Sequence, residues 1–517
     1  MAIKGITSVV LQSLLYATTY QQPLVCPAGT ETWQCAFVAV DSSNLSLKGP
    51  DLRGVPSVII ATPDNFNPDF NSPSPEVTPV TPTPAITPPA PTSQPTPPKA
   101  VAPQPVPKVS EPAKPSLTNS PPQLTTEADR IAAQRAWKYF ERNWNPQTGL
   151  VNSVDNLAWT TWWDQGSAIL GIHAARQLGL LPRNVFEQRM NTLLHTLETL
   201  PLPASGLPNK AYSTRTAQMR QLNNTPDPKG ISGWSALDTA RFLLGLHVLR
   251  SHYPEYSDRI NRIVARWNLS KLVKDGWLNG GITAAGGQIQ EVQEGRLGYE
   301  QYAANSLKLW NIQAPKALNN PPVMNVQVDG ITLQIDKRNF KNSGATNYLT
   351  NDPYLLWGLE LGWSDAVKPQ VQNLLQVQAQ RFKRTGILTA VNEDSLDRPP
   401  YFLYYSIYAN NEPWQAVNTS GKTYPQLRFL STKAAFSWFA LIPDDPYTTK
   451  LRDFVQNLAD KNRGYLSGRY ENPKLGVNAS VDVNTNAIVL ESLLYQARGR
   501  QPLVEGDRRQ NNKIPEF

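Results

Sequence analysis

From Glu127 onward the chain alternates two kinds of apolar pattern. Residues 127–145 place Ile131, Ala132, Ala136, Trp137 and Phe140 on one helical stripe, with Arg130, Arg135 and Glu141 off it. That is an amphipathic helix with one face to solvent. Residues 161–178 differ: Gly166, Ala168, Ile169, Leu170, Gly171, Ile172, Ala174 and Ala175 make them apolar nearly all round, which predicts a buried helix. The two patterns then take turns. Residues 184–200, 256–267, 364–382 and 445–461 read as outer helices; 235–249, 299–310, 354–361, 431–441 and 486–497 read as inner ones. This predicts eleven helices with one outer partner missing between Trp310 and Tyr354, where 323–335 alternates with period two and predicts a strand or hairpin instead.

Alternating exposed and buried helices arise in an open solenoid or in a closed ring. A solenoid carries a fixed repeat length, whereas the inner helices here are irregularly spaced, with the long loops always on one side. The expectation is therefore an all-α (α/α)6 toroid over residues 125–504, with an open solenoid as the alternative.

Composition adds the flanks. Of 46 prolines, 18 lie between Pro73 and Pro122, among Thr, Ser, Val, Ala and Lys and almost no large apolar residues. Such a stretch cannot bury enough surface to offset its ordering entropy, so 73–124 reads as a disordered Pro/Thr-rich linker. It separates a small N-terminal segment of uncertain fold, 1–72, from the helical domain, and 505–517 reads as a flexible tail. Both cysteines, Cys26 and Cys35, fall in the small segment. A disulfide between them, like the spacer, would suit a protein exported to the periplasm or cell envelope. Residues 6–16 resemble a signal peptide only loosely, because Ser8, Gln12 and Ser13 interrupt the apolar run. The net charge of +8 is spread along the chain without a dense basic run, which argues against nucleic acid. No run reaches the ~18 apolar residues of a membrane span.

In an alternating ring the N-termini of all inner helices emerge at one end. The segments before them, 152–164, 230–238, 293–302, 344–352, 424–432 and 477–486, each mix aromatics, carboxylates or amides with small hydroxyl residues. The outer-helix starts, Leu181-Pro-Arg, Ser251-His-Tyr-Pro and Asp445-Pro, are plain. One chemically rich rim predicts one pocket. Part of that richness is helix capping, expected for Ser235, Asp352, Thr432 and Asn484. Capping does not explain Trp159, Trp162, Trp163, Trp234, Tyr299, Tyr302 and Tyr348, which either stack on sugar rings or wedge the ring together.

Glycoside hydrolysis needs two Asp or Glu residues. The rim offers Asp155, Asp164, Asp238, Glu291, Glu294, Glu300, Asp352, Glu393 and Asp482, each with a structural ion pair as its competing role. Glu294 stands between an expected hairpin and an inner helix, with Arg296 close by, and Glu300 falls about one turn later, where it could pair with Arg296. Asp164 opens an otherwise apolar helix. The four histidines are scattered, no set has zinc spacing, and no nucleophile elbow, P-loop or dinucleotide fingerprint occurs, so neither cofactor nor metal is expected. A calcium among Asn347, Asn351 and Asp352 has only its oxygen ligands to recommend it.

The strings Gly149-Leu-Val-Asn-Ser-Val-Asp155, Thr161-Trp-Trp-Asp-Gln-Gly-Ser167, Leu207-Pro-Asn-Lys-Ala-Tyr212, Gly233-Trp-Ser-Ala-Leu-Asp-Thr-Ala-Arg241, Gln293-Glu-Gly-Arg-Leu-Gly-Tyr-Glu-Gln-Tyr302 and Asn484-Thr-Asn486 are long and specific. On them, residues 128–503 resemble the bacterial family catalogued as domain of unknown function 3131. The resemblance implies no settled activity. At fold level the family is similar to the six-hairpin, glucoamylase-like glycosidases, which include β-glucan hydrolases, and no catalytic residue carries over from that likeness.

The leading expectation is a polysaccharide- or oligosaccharide-binding domain acting as a glycoside hydrolase. Glu294 is its general acid, Asp164 or Asp238 its base, and Glu300 a further catalytic candidate. Trp162, Trp163, Trp234 and Tyr299 are the sugar platforms, with Arg296, Tyr302, Asn209, Lys210 and Asn486 as further substrate-binding residues. The rivals are a non-catalytic glycan-binding or scaffolding toroid on a Pro-rich stalk, and a polysaccharide lyase using Tyr299 and Arg296.

Overall fold

A computed structural model describes residues 122–124, 126–284, 287–319 and 321–504. The segment 1–72, nearly all of the linker 73–124, the pair Cys26 and Cys35, and the tail 505–517 lie outside the described residues. Leu124, the last residue of the span expected to be linker, is partly buried against the core.

Among the described residues, eleven main helices follow in chain order: α1 Glu127–Asn143, α2 Trp162–Gln177, α3 Arg183–Thr199, α4 Ala236–His252, α5 Ser257–Ala265, α6 Tyr299–Lys308, α7 Asp352–Leu356, α8 Lys368–Thr385, α9 Thr432–Leu441, α10 Pro446–Val455 and α11 Val483–Ala497. A π-turn, Trp357–Leu361, continues α7. Helices α2, α4, α6, α7, α9 and α11 pack each on the next, and α11 packs on α2, so the inner ring closes. Glycine makes that closure tight. A Cβ at Gly166 would lie 2.8 Å from the Arg241 carbonyl oxygen on α4, and one at Gly171 would lie 3.0 Å from the Ala487 Cα on α11. The outer layer joins across the same seam, where Arg452 of α10 pairs with Asp129 of α1 at 3.1 Å.

The missing outer helix is replaced as its period-two pattern predicts. A short helix, Pro315–Asn319, leads into the antiparallel strands Val323–Val328 and Ile331–Asp336. The second strand is stitched to α8 through Gln370 Nε2 to the Gln334 carbonyl (2.9 Å) and Asn373 Nδ2 to the Thr332 carbonyl (3.0 Å). The fold is the (α/α)6 toroid, with this hairpin holding the fourth of the six outer positions.

Three expectations need correction. Helix α10 ends at Val455, and the strand Ala459–Asp460, paired with Gly464–Tyr465 just beyond, falls in the span 445–461 expected to be helical. The rim loops also carry short antiparallel sheets, the largest joining Glu393–Ser395, Phe402–Ala409 and Glu412–Val417. Loops buried at a ring mouth must pair their backbone groups, and sheets do so. Finally, Ser235 caps α4, but Ser431 caps α9 and Asp482 caps α11, while Asn351 precedes α7 without a side-chain cap. Thr432, Asn484 and Asp352 are thus not caps. Among the described residues, no helix is long and apolar enough to cross a membrane.

Candidate active site

The rich rim encloses a cavity of about 130 Å3 lined by Trp159, Trp163, Tyr299, Tyr401, Phe402 and Tyr404, with the carboxyl groups of Asp164, Asp238 and Glu393 among them. A larger groove of about 410 Å3 lies elsewhere in the domain, but its lining has no carboxylate. Convergent acids inside an aromatic wall, rather than size, mark the smaller cavity as the candidate site.

Each acid is positioned by a different element. Asp164 is the third residue of α2 and forms a capping box with Thr161, which fixes its rotamer at the helix start. Its Oδ2 accepts hydrogen bonds from the Ser153 hydroxyl, from Thr161 Oγ1 (2.8 Å) and from the Thr161 amide (3.2 Å); its Oδ1 accepts one from Asn484 Nδ2 (2.8 Å). Burial pushes this carboxyl above its ordinary range, and those donors pull it back. Asp238 holds the equivalent position in α4, where Ser235 Oγ accepts from its amide at 3.0 Å. Burial pushes the Asp238 carboxyl well up, and the neighbouring charges of Glu294 and Asp164 push it the same way. Glu393 stands on the first strand of the largest rim sheet, and its Oε2 accepts the Tyr299 hydroxyl at 2.6 Å. Burial first, and then the charge of Asp352, raise Glu393 to about 8, against the opposing pull of Lys433 and Tyr299.

Lys433, in the first turn of α9, supplies that opposing charge. Its Nζ lies 3.1 Å from Asp352 Oδ1 and 3.8 Å from Asp394 Oδ1. A second buried network crosses the ring interior. Arg241 donates to Glu360 Oε1 (2.7 Å), to the Tyr302 hydroxyl (2.7 Å) and to Ser167 Oγ (3.0 Å), and the Tyr302 hydroxyl donates to Glu360 Oε2 at 2.5 Å. The Arg241 guanidinium also lies 5.1 Å from the centre of the Trp163 ring, linking this network to the cavity wall.

The predicted site residues divide sharply. Asp164, Asp238, Trp163 and Tyr299 come together in the cavity, and the others do not line it. Glu294 is fully buried, with its carboxylate turned to the start of α4, where it accepts from Ser235 Oγ (2.9 Å) and the Ala236 amide (2.5 Å). Lys210 is buried close enough to Glu294 and Asp238 to feel both, yet burial lowers its ammonium to about 8 and its Nζ makes no hydrogen bond. Glu300 pairs with Arg338 at 2.7 Å rather than with Arg296, and burial raises it to about 7.

Arg296 donates to Gln293 Oε1, its neighbour's carbonyl and Ser343 Oγ, while the Tyr299 hydroxyl donates to Glu393, so the two groups a lyase would use are each engaged with other partners. Trp162 is core, its indole donating to the Asn209 carbonyl at 2.7 Å and packing on Tyr212 and Phe242. Trp234 is core as well: it donates to the Asn279 carbonyl and lies so close to Gly281 that a Cβ there would fall 2.6 Å from its ring. Tyr302 is held by Arg241 and Glu360. Asn209 braces the Ala211 and Arg220 carbonyls, and Asn486 is tied to Tyr465 and Asp482. The calcium idea fails on pairing, because Asp352 faces Lys433, Asn351 bonds Gln378 and Asn347 bonds the Asp336 carbonyl.

Sequence reasoning places Glu393 only as one rim carboxylate among nine, and it misses Tyr401, Phe402 and Tyr404 altogether. Their signal is the hairpin: the aromatic run from Tyr401 to Tyr408 is followed by Asn410 and Asn411, both at positive φ (54° and 63°), which marks a tight turn between two strands.

The fold has solved relatives. An endo-β-1,2-glucanase from Chitinophaga pinensis, solved with sophorotriose and glucose, superposes with a TM-score of 0.51 at 12% identity, over 74% of this chain and 97% of its own. A glucoamylase candidate from Bacteroides caccae does so with a TM-score of 0.50 at 14% identity, over 74% of this chain and 98% of its own. At these identities the likeness is one of fold, the six-hairpin (α/α)6 toroid. No curated protein sequence matches the chain. Residues 131–499 match the family model described as Protein of unknown function (DUF3131), and the protein belongs to that family.

Proposed function

We propose that the toroid is a glycoside hydrolase acting on a bacterial polysaccharide, with Glu393 as general acid and Asp164 as the carboxylate that acts as base or nucleophile. The observation that carries this reading is the meeting of Asp164, Asp238 and Glu393 in one aromatic-walled cavity. Hydrolysis needs one carboxyl protonated and one ionised at working pH. Their surroundings favour that division. Glu393, raised to about 8, keeps its proton at neutral pH. Asp164 has four donors to stabilise its charge. Asp238, pushed well up, stays protonated and donates to a sugar hydroxyl. Trp163 and Tyr299 supply ring faces against the sugar.

A β-1,2-glucanase and a glucoamylase candidate share the fold, which supports glucans, β-1,2-linked ones among them, as the first substrates to try. The Pro/Thr-rich linker supports an exported location, where such polymers are met. The test incubates the full-length protein with a glucan panel and follows both new reducing ends and ultraviolet absorbance. New reducing ends without absorbance support hydrolysis. An unsaturated, absorbing product means a lyase, and binding without any product means a non-catalytic glycan-binding protein.

A further inference from the structure

The sector where the hairpin replaces the missing outer helix contains the groove of about 410 Å3, about three times the volume of the candidate active site. That falls within the ~300–1,000 Å3 range of ligand sites. Its wall carries the indoles of Trp357 and Trp363, both only half-buried. The π-turn sets them: Trp363 lies so close to Gly358 that a Cβ there would fall 2.7 Å from its ring, and its Nε1 donates to the Tyr354 carbonyl at 2.7 Å.

Tyr354 lines the groove too, its hydroxyl buried beside the Gln370 side-chain amide. That amide spans the Gln334 backbone N–H and carbonyl and keeps capacity for the phenol, whose pKa burial pushes up against the Gln370 contact. Asn305 uses its Nδ2 on the Gln301 carbonyl, and the Gln334 side chain is exposed. Among the described residues lining the groove, Lys308 is the only charged one.

We propose that this groove is a second, non-catalytic saccharide site that takes a neutral glucan segment. Aromatic faces stack on sugar rings, amides and a phenol exchange hydrogen bonds with hydroxyls, and the lack of carboxylates removes both acid–base chemistry and any demand for a cationic ligand. The choice of glucan as ligand rests on the hydrolase reading; the existence of the site does not. Its role is to hold polymer near the rim while the cavity cuts.

The test uses the full-length Glu393→Gln protein, to suppress turnover, titrated calorimetrically with sophoro- and malto-oligosaccharides. Two variants are compared with it: Ala366→Trp, which fills the groove from an exposed position, and Trp357→Ala. The expected result is two binding events in the parent, with the groove event weakened about tenfold or more in both variants. With Glu393 intact, Ala366→Trp should leave hydrolysis of short substrates unchanged and slow hydrolysis of polymer. Binding unchanged in both groove variants, or no oligosaccharide binding at all, overturns the site. If wild type hydrolyses nothing while the groove variants lose binding, the hydrolase reading falls and the groove stands. Hydrolysis with groove-independent binding removes the groove and leaves the hydrolase reading in place.

Discussion

The Tyr299 hydroxyl donates a 2.6 Å hydrogen bond to Glu393 Oε2, tying the first residue of α6 to the rim strand after α8. This bond favours the ionised carboxylate, whereas burial and Asp352 favour the acid. A general acid works only while protonated, so activity should be lost as pH rises through about 8. Removing the hydroxyl with Tyr299→Phe removes a lowering influence. The alkaline limb of kcat/KM should then move up by about one pH unit, since one unit corresponds to ~1.4 kcal/mol. An unmoved limb would separate Glu393 from the pH dependence.

The same group links stability to pH. Unfolded, the Glu393 carboxyl titrates near 4.5; folded, at about 8. Its folded value is raised, so its favourable contribution is complete below the unfolded value and is lost as pH rises through the folded one. Glu393→Gln removes the titration. The melting temperature of the variant relative to wild type should therefore climb steadily between about pH 5 and pH 8, as differential scanning calorimetry would show. A flat difference would mean that Glu393 titrates normally.

Arg241 pairs with Glu360 where neither side chain has any solvent exposure, and Glu491 lies 3.8 Å away. Arg241→Met should cost about 3–5 kcal/mol in denaturant unfolding, because it strands buried acid groups. A loss below about 1 kcal/mol would mean that water enters the ring and solvates them.

Adjacent tryptophans should separate by function. Trp162 packs among Tyr212, Phe242 and Trp267, so Trp162→Ala should cost about 3–5 kcal/mol of stability. Trp163 lines the cavity, so Trp163→Phe should raise KM while moving the melting temperature little. The opposite pattern would exchange their roles.

Much of the ring is legible in the sequence because helical periodicity reports burial directly. Residues 161–178, apolar all round, form α2, and the period-two stretch at 323–335 forms the hairpin in the missing outer position. The rim is legible as a region but not residue by residue. Trp162 and Trp163 are neighbours with the same chemistry, and only their helical phase sends one to the core and the other to the cavity. Glu294 has the marks of a catalytic acid, since it precedes an inner helix, yet its carboxylate turns back to the start of α4. Whether a rim acid faces the axis or a neighbouring helix depends on contacts between residues far apart in sequence, such as Asn484 with Asp164 or Tyr299 with Glu393.

Hydrolysis by Glu393 and Asp164 is tested most directly by measuring glucan turnover for Glu393→Gln, Asp164→Asn and Glu294→Gln beside wild type, with melting temperatures recorded for all four. The first two should lose on the order of 10²- to 10⁴-fold in kcat while remaining folded, and Glu294→Gln should retain turnover while losing stability. Turnover that survives in the first two variants and disappears only in folded Glu294→Gln would contradict the assignment.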